Sequence, residues 1–168
     1  MWKQEKVKAQ LREVEAIKDH VVISGGLAWH LMSPPHEEHK LTHDHKDVDL
    51  FVFPSMFPVV IKTLKNRGFE KYWTKYDGLS KDFYRYGLTT VRQDIDKPYH
   101  VKVLFDIFVE EVPWIQLDEF KVVEPGHLLS LYETTHSSKE CYAVQAAMKL
   151  VKKGISPIGR EELIRAGS

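Results

Sequence analysis

Asp47 and Asp49 stand two apart in the run Asp47-Val48-Asp49-Leu50-Phe51-Val52-Phe53, whose β-branched and aromatic content predicts a strand. Side chains alternate along a strand, so both carboxylates share one face and Val48 takes the other. Two carboxylates that close repel each other unless a cation lies between them or one keeps its proton. A third acid, Asp106, lies within Leu104-Phe105-Asp106-Ile107-Phe108, where an ionised carboxylate is costly without a partner. Two Mg²⁺ ions held by these three carboxylates and by substrate phosphates would satisfy all of them. The plainer alternative makes Asp47 the start of a strand, turns Asp49 to water, and leaves Asp106 as an edge acid or half of a buried pair.

Ser24-Gly25-Gly26 follows the β-branched run Val21-Val22-Ile23 and precedes Leu27–Met32, which predicts strand, tight turn and helix. A bare glycine backbone lets N–H groups approach an anion, and the start of a helix adds a favourable dipole. Such a turn can seat phosphates. It is not a dinucleotide fingerprint, because G-x-G-x-x-G is absent, nor a P-loop, because no Gly-Lys-Ser/Thr follows.

Other residues bear chemistry less specifically. His36, His39, His43 and His45, with Asp44, could hold Zn²⁺ or another transition metal. No Cys joins them, and their spacing matches no common zinc module, so a solvated loop is the plainer reading, with His45 at the rim of the acidic site. Arg85 sits among Phe83, Tyr84 and Tyr86, where it could face phosphate or stack on tyrosine. Lys149, Lys152 and Lys153 suit the negative end of a helix. Trp29, Trp73 and Trp114 read as core or rim.

The elements that must position these residues follow from periodicity. Val7, Leu11, Val14 and Ile17 predict an amphipathic helix over 3–18. Ser33-Pro34-Pro35 ends the helix after the glycine turn. Pro54-Ser55 leads into a helix running to about Arg67 and closed by Gly68. Lys71–Trp73 and Phe83–Leu88 are aromatic strand candidates separated by Asp77-Gly78. Residues 100–109 form the strongest strand, with Val101, Val103, Phe105, Ile107 and Val109 on one face, which predicts an interior position. Beyond Pro125 the pattern is helical, first at Leu128–Tyr132, then from about Ser137 to Lys153, then at Glu161–Arg165. The order implies an α/β (α+β) fold with a mixed sheet and helices mainly on one face.

The whole chain bounds the rest. Its 168 residues suit a single domain over 1–168, with a core bearing the motifs over 20–110 and C-terminal helices over 125–168. Twenty-four basic and 24 acidic side chains cancel, which argues against a protein that coats polyanions. The lone Cys141 excludes an internal disulfide framework. No apolar run approaches the ~20 residues of a membrane span, and the polar start MWKQEKVKAQ does not resemble a secretory signal. A cytoplasmic protein without membrane contact is expected, as monomer or homodimer.

Gly25-Gly26, Asp47-Val48-Asp49 and Asp106, in that order, resemble the polymerase-β-like nucleotidyltransferase superfamily. The stretch GGLAWHLM…THDHKDVDLFVF looks most like its small-molecule branch, which includes lincosamide and aminoglycoside nucleotidyltransferases. Members of that branch often carry a His two residues before the first motif acid, the place of His45, and a helical Lys–acid pair near the triphosphate, to which Lys139-Glu140 is similar. Twenty residues separate Gly26 from Asp47, more than the usual spacing, and a loop insertion over Ser33–His43 accounts for the excess. The resemblance implies the nucleotidyltransferase fold and transfer of a nucleoside monophosphate from an NTP, with ATP among the candidates, to a hydroxyl, releasing pyrophosphate. Asp47, Asp49 and Asp106 would be the catalytic and metal-binding acids for two Mg²⁺. Ser24, Gly25, Gly26 and Lys139 would bind nucleotide, with His45 and Arg85 at the rim. The acceptor would be a hydroxyl-bearing small molecule, a protein or an RNA. Three alternatives stay open: an antitoxin or abortive-infection component with this fold, a catalytically degenerate binding domain, and a transition-metal protein centred on the His-rich loop.

Overall fold

The computed structural model describes residues 4–32, 47–75, 77, 82–93 and 98–133. Helix α1 (Gln4–Glu15) buries Leu11 and Val14 completely, as their helical spacing requires. A 3₁₀ turn at Lys18–His20 then feeds β1 (Val21–Ser24), every residue of which is buried. Gly25 opens α2 (Gly25–Met32) directly from the strand at φ +63°, in the left-handed region where a side chain would be strained.

Strand β2 (Asp47–Val52) leads through a 3₁₀ turn at Pro54–Met56 into α3 (Phe57–Asn66). Pro58 falls in the first turn of α3, where its missing N–H costs nothing. Gly68, at φ +97°, ends the helix, and Phe69 N–H returns to the Leu64 carbonyl at 3.0 Å. Then come β3 (Glu70–Tyr72), β4 (Phe83–Gln93), β5 (Pro98–Val109), β6 (Trp114–Leu117), β7 (Phe120–Val123) and α4 (Pro125–Glu133). Glu124 caps α4, its carboxylate accepting from Gly126 N–H at 2.9 Å and His127 N–H at 2.8 Å.

Among the described residues the strands form one mixed seven-stranded sheet in the order β3-β4-β5-β2-β1-β7-β6. β2 runs parallel to β5 and antiparallel to β1, while β7 lies parallel to β1. β5 is interior, as its apolar face demands: Val103, Phe105 and Ile107 are fully buried. On the same face Phe69 stacks on Phe105 at 5.1 Å, and Phe57 of α3 packs on Tyr84 at 4.7 Å. Arg67 ties α3 to α1 through two hydrogen bonds to Glu13, at 2.8 and 3.0 Å.

The structure departs from the sequence expectation in several places. α1 stops at Glu15 rather than 18, and β4 runs on to Gln93 rather than Leu88. The β6–β7 hairpin was not expected: its strands have four residues each, and the turn places Asp118, not glycine, at φ +54°. Trp29 is wholly buried, whereas Trp73 is 80% exposed and so lies outside the core. The helices expected over 137–153 and 161–165 lie outside the described residues. Among the described residues, no helix is long and apolar enough to cross a membrane.

Candidate active site

The sheet register brings the expected acids onto one rung. Asp49 of β2 is directly opposite Asp106 of β5 and, on its other side, Ser24 of β1. Asp106 in turn faces Arg85 of β4, and Arg85 faces Tyr72 of β3. Directly opposed residues project from the same face of a sheet, so Tyr72, Arg85, Asp106, Asp49 and Ser24 form a row crossing five strands. Asp47, two residues before Asp49, shares that face.

Gly25 joins the row from above. A Cβ added to it would collide with Asp49 Oδ2, so the glycine is required both by its backbone and by the carboxylate packed against it. Ser24 and Gly25 are buried at this junction, and Gly26 is half-buried on the first turn of α2. The turn therefore sets its backbone directly beside the Asp49 carboxylate.

Asp49 is the electrostatically strained member. Its pKa is pushed up from 3.8 to about 7, chiefly by burial, then by the charges of Asp106 and Asp47, with Arg85 opposing. The apolar surroundings are visible one rung along, where Phe51, Phe108 and Phe83 pack with centroids 5.5 and 5.2 Å apart. Without added positive charge, Asp49 is only partly ionised near neutrality. A divalent cation or its equivalent would complete the ionisation.

Arg85 grips one of the acids directly. Its Nε donates to Asp106 Oδ1 at 2.6 Å and its Nη2 to Asp106 Oδ2 at 2.9 Å, a two-point fork. The same Nη2 lies 3.5 Å from Asp47 Oδ2. These anions hold the guanidinium pKa above its ordinary value, with the Asp106 bond the largest cause. Asp106 is thus the more buried half of a part-buried ion pair, its side chain 11% exposed against 30% for Arg85. The plainer alternative for this one acid holds in part, since its charge is answered from within the protein.

The donor set suits a cation at Asp47 and Asp49. Mg²⁺ is usually held by one or two carboxylates plus substrate phosphates and waters rather than by a closed protein cage. Among the described residues no cluster of three or more His, Cys, Asp or Glu is arranged to enclose a metal by itself. Lys139 and His45 lie outside the described residues, as do His36, His39 and His43.

Two further side chains complete this end of the row. Tyr72 lies beside Gly87, where an added Cβ would come within 3.0 Å of its ring. Lys102 Nζ sits 4.5 Å from the centre of the same ring. Strand parity alone puts Lys102 on the Asp106 face; Tyr72 is reached only through the register of two strand pairings.

Solved structures share this architecture. ANT(2″)-Ia, solved in complex with adenylyl-2″-tobramycin, is similar over 97% of this chain and 95% of its own, with a TM-score of 0.56 and 11% identity. The chain has the nucleotidyltransferase fold. A solution structure of the antibiotic-resistance factor ANT(2″)-Ia superposes on that fold with a TM-score of 0.53, at 12% identity, over 95% of this chain and 88% of its own. JHP933 from Helicobacter pylori is similar over 88% of this chain and 67% of its own, with a TM-score of 0.58 and 10% identity. At such identities the likeness is one of nucleotidyltransferase fold alone. No family model matches the chain, and no curated protein matches it.

Proposed function

We propose that this chain transfers a nucleoside monophosphate from an NTP to a hydroxyl and releases pyrophosphate. The observation that carries the proposal is Asp49. Its carboxylate is packed against the Gly25 turn and lies opposite Asp106 on the same face as Asp47, so burial and like charge oppose its ionisation and a bound cation would favour it. Asp47 and Asp49 would hold Mg²⁺ together with the triphosphate, and the bound ion would supply charge neutralisation at the α-phosphate. The Ser24-Gly25-Gly26 turn would seat the β- and γ-phosphates by backbone N–H groups. The acceptor oxygen then forms its bond to the α-phosphorus as the bond to the pyrophosphate oxygen breaks. The leaving pyrophosphate takes the electron pair, and the hydroxyl proton passes to the carboxylates of the row or to water. Little covalent work falls to the protein; positioning and electrostatics carry the rate.

As a catalytic and metal-binding acid, Asp106 would complete a metal shell and help deprotonate the acceptor hydroxyl. Both roles compete with the two bonds it accepts from Arg85. That competition also favours a second reading, in which the domain binds nucleotide without transferring it. The adenylyl-tobramycin complex of ANT(2″)-Ia supports a small hydroxylated acceptor over a protein or RNA. An NTP substrate would place the reaction in the cytoplasm.

The test is a transfer assay with each NTP labelled at the α-phosphate, Mg²⁺, and a panel of aminoglycosides, lincosamides, tRNA and protein. Label transfer and pyrophosphate release by the wild type, absent from Asp49→Asn, is the expected result. Nucleotide binding with no pyrophosphate release from any acceptor would favour the binding-only reading.

A further inference from the structure

The number of cations the site accepts follows from how Arg85 is held. Arg85 Nη2 reaches Asp106 Oδ2 at 2.9 Å and Asp47 Oδ2 at 3.5 Å, so the guanidinium stands between the two acids that a bridging ion would have to join. Its Nε takes the other Asp106 oxygen at 2.6 Å, leaving neither oxygen of that carboxylate unengaged. We propose that Arg85 takes the place of a second divalent cation, so that the site holds one ion, between Asp47 and Asp49, and Asp106 anchors the guanidinium instead of ligating metal. The proposal rests on the nucleotidyltransferase reading and changes its expected ion count from two to one.

Charge supports it. Arg85 already answers negative charge on Asp106 and Asp47, the charge that a second divalent ion would otherwise neutralise there. A second ion at Asp106 would be pressed against a guanidinium that cannot lose its charge. Backbone register fixes the arrangement, because Arg85 and Asp106 are opposed within the long β4–β5 pairing rather than delivered by a loop. The planar fork also matches a carboxylate at two points, so the charge is oriented before substrate arrives. A fixed cation beside a transferring phosphoryl group stabilises developing charge without reorganising. Arg85 is thereby a positioning and electrostatic residue of the reaction.

The experiment counts ions. Crystals of the full chain would be soaked with a nonhydrolysable NTP and Mn²⁺, and ion positions found by anomalous scattering. One ion touching Asp47 and Asp49, with Arg85 still on Asp106, is expected. A second ion on Asp106 with Arg85 displaced would overturn the proposal while leaving the nucleotidyltransferase reading intact. Nucleotide and ions absent from the row would overturn both. In solution, Mn²⁺ stoichiometry measured by electron paramagnetic resonance with the same nucleotide should rise from one per chain in wild type to two in Arg85→Gln, and stay at one in Arg85→Lys and Asp106→Asn. Two ions in wild type, falling to one in Asp106→Asn, would refute the substitution of arginine for metal even if Arg85→Gln does not fold.

Discussion

Replacing Asp49 by Asn in the cation-free protein should stabilise it, and increasingly so as pH rises. The native pKa of about 7 lies above the ordinary 3.8, so the native state binds a proton more tightly than the unfolded chain. The stability this group contributes is therefore complete below pH 3.8 and is lost as pH climbs through about 7. Complete loss over that interval corresponds to at most about 4 kcal/mol. Asp49 keeps partial solvent contact, and screening brings the expectation to about 2 kcal/mol. For a chain of this length that is about 4–8 °C in melting temperature. Asn mimics the protonated acid, so the two proteins should melt together near pH 4 and diverge steadily towards pH 7. The assay is a melting series across that range in chelator. A variant less stable than wild type at neutral pH, or a difference that does not grow with pH, would refute the electrostatic account of the row.

Gly25→Ala should cost about 2 kcal/mol or more, since it combines a left-handed backbone with a collision on Asp49; urea unfolding measures it, and the cost should shrink in an Asp49→Ala background. Glu13→Gln weakens the clamp between α1 and α3 and should lower stability by about 1–2 kcal/mol, with nucleotide affinity unchanged by calorimetry. Trp73→Ala removes an 80% exposed ring that Lys71 Nζ overlies at 3.3 Å, so it should cost no more than about 1 kcal/mol, and a larger loss in the same unfolding assay would refute this weak-contact reading.

What the sequence discloses about this site is parity, and what it hides is register. Alternation along one strand is a local property, so the shared face of Asp47 and Asp49 follows from their spacing, and Lys102 follows Asp106 for the same reason. Which residue of a neighbouring strand faces Asp106 depends on pairing between segments distant in sequence, and a slip of one residue would turn Arg85 to the other face. Hence the guanidinium fork does not follow from the position of Arg85 among aromatic residues. The glycine turn was legible because strand, Gly-Gly and helix follow one another without interruption, while its contact with Asp49 is tertiary. The β6–β7 hairpin stayed hidden because two four-residue strands joined through Asp118 carry neither a long alternating pattern nor a turn glycine.

The central claim is that Asp47, Asp49 and the glycine turn bind a cation–triphosphate complex. Isothermal titration of the full chain with a nonhydrolysable NTP, with and without Mg²⁺, tests it most directly when wild type and Asp49→Asn are measured side by side. The account predicts binding to wild type only when Mg²⁺ is present, and a loss of about 100-fold or more in the variant, equivalent to roughly 3 kcal/mol. Equal affinities in the two proteins, or binding indifferent to Mg²⁺, would contradict it.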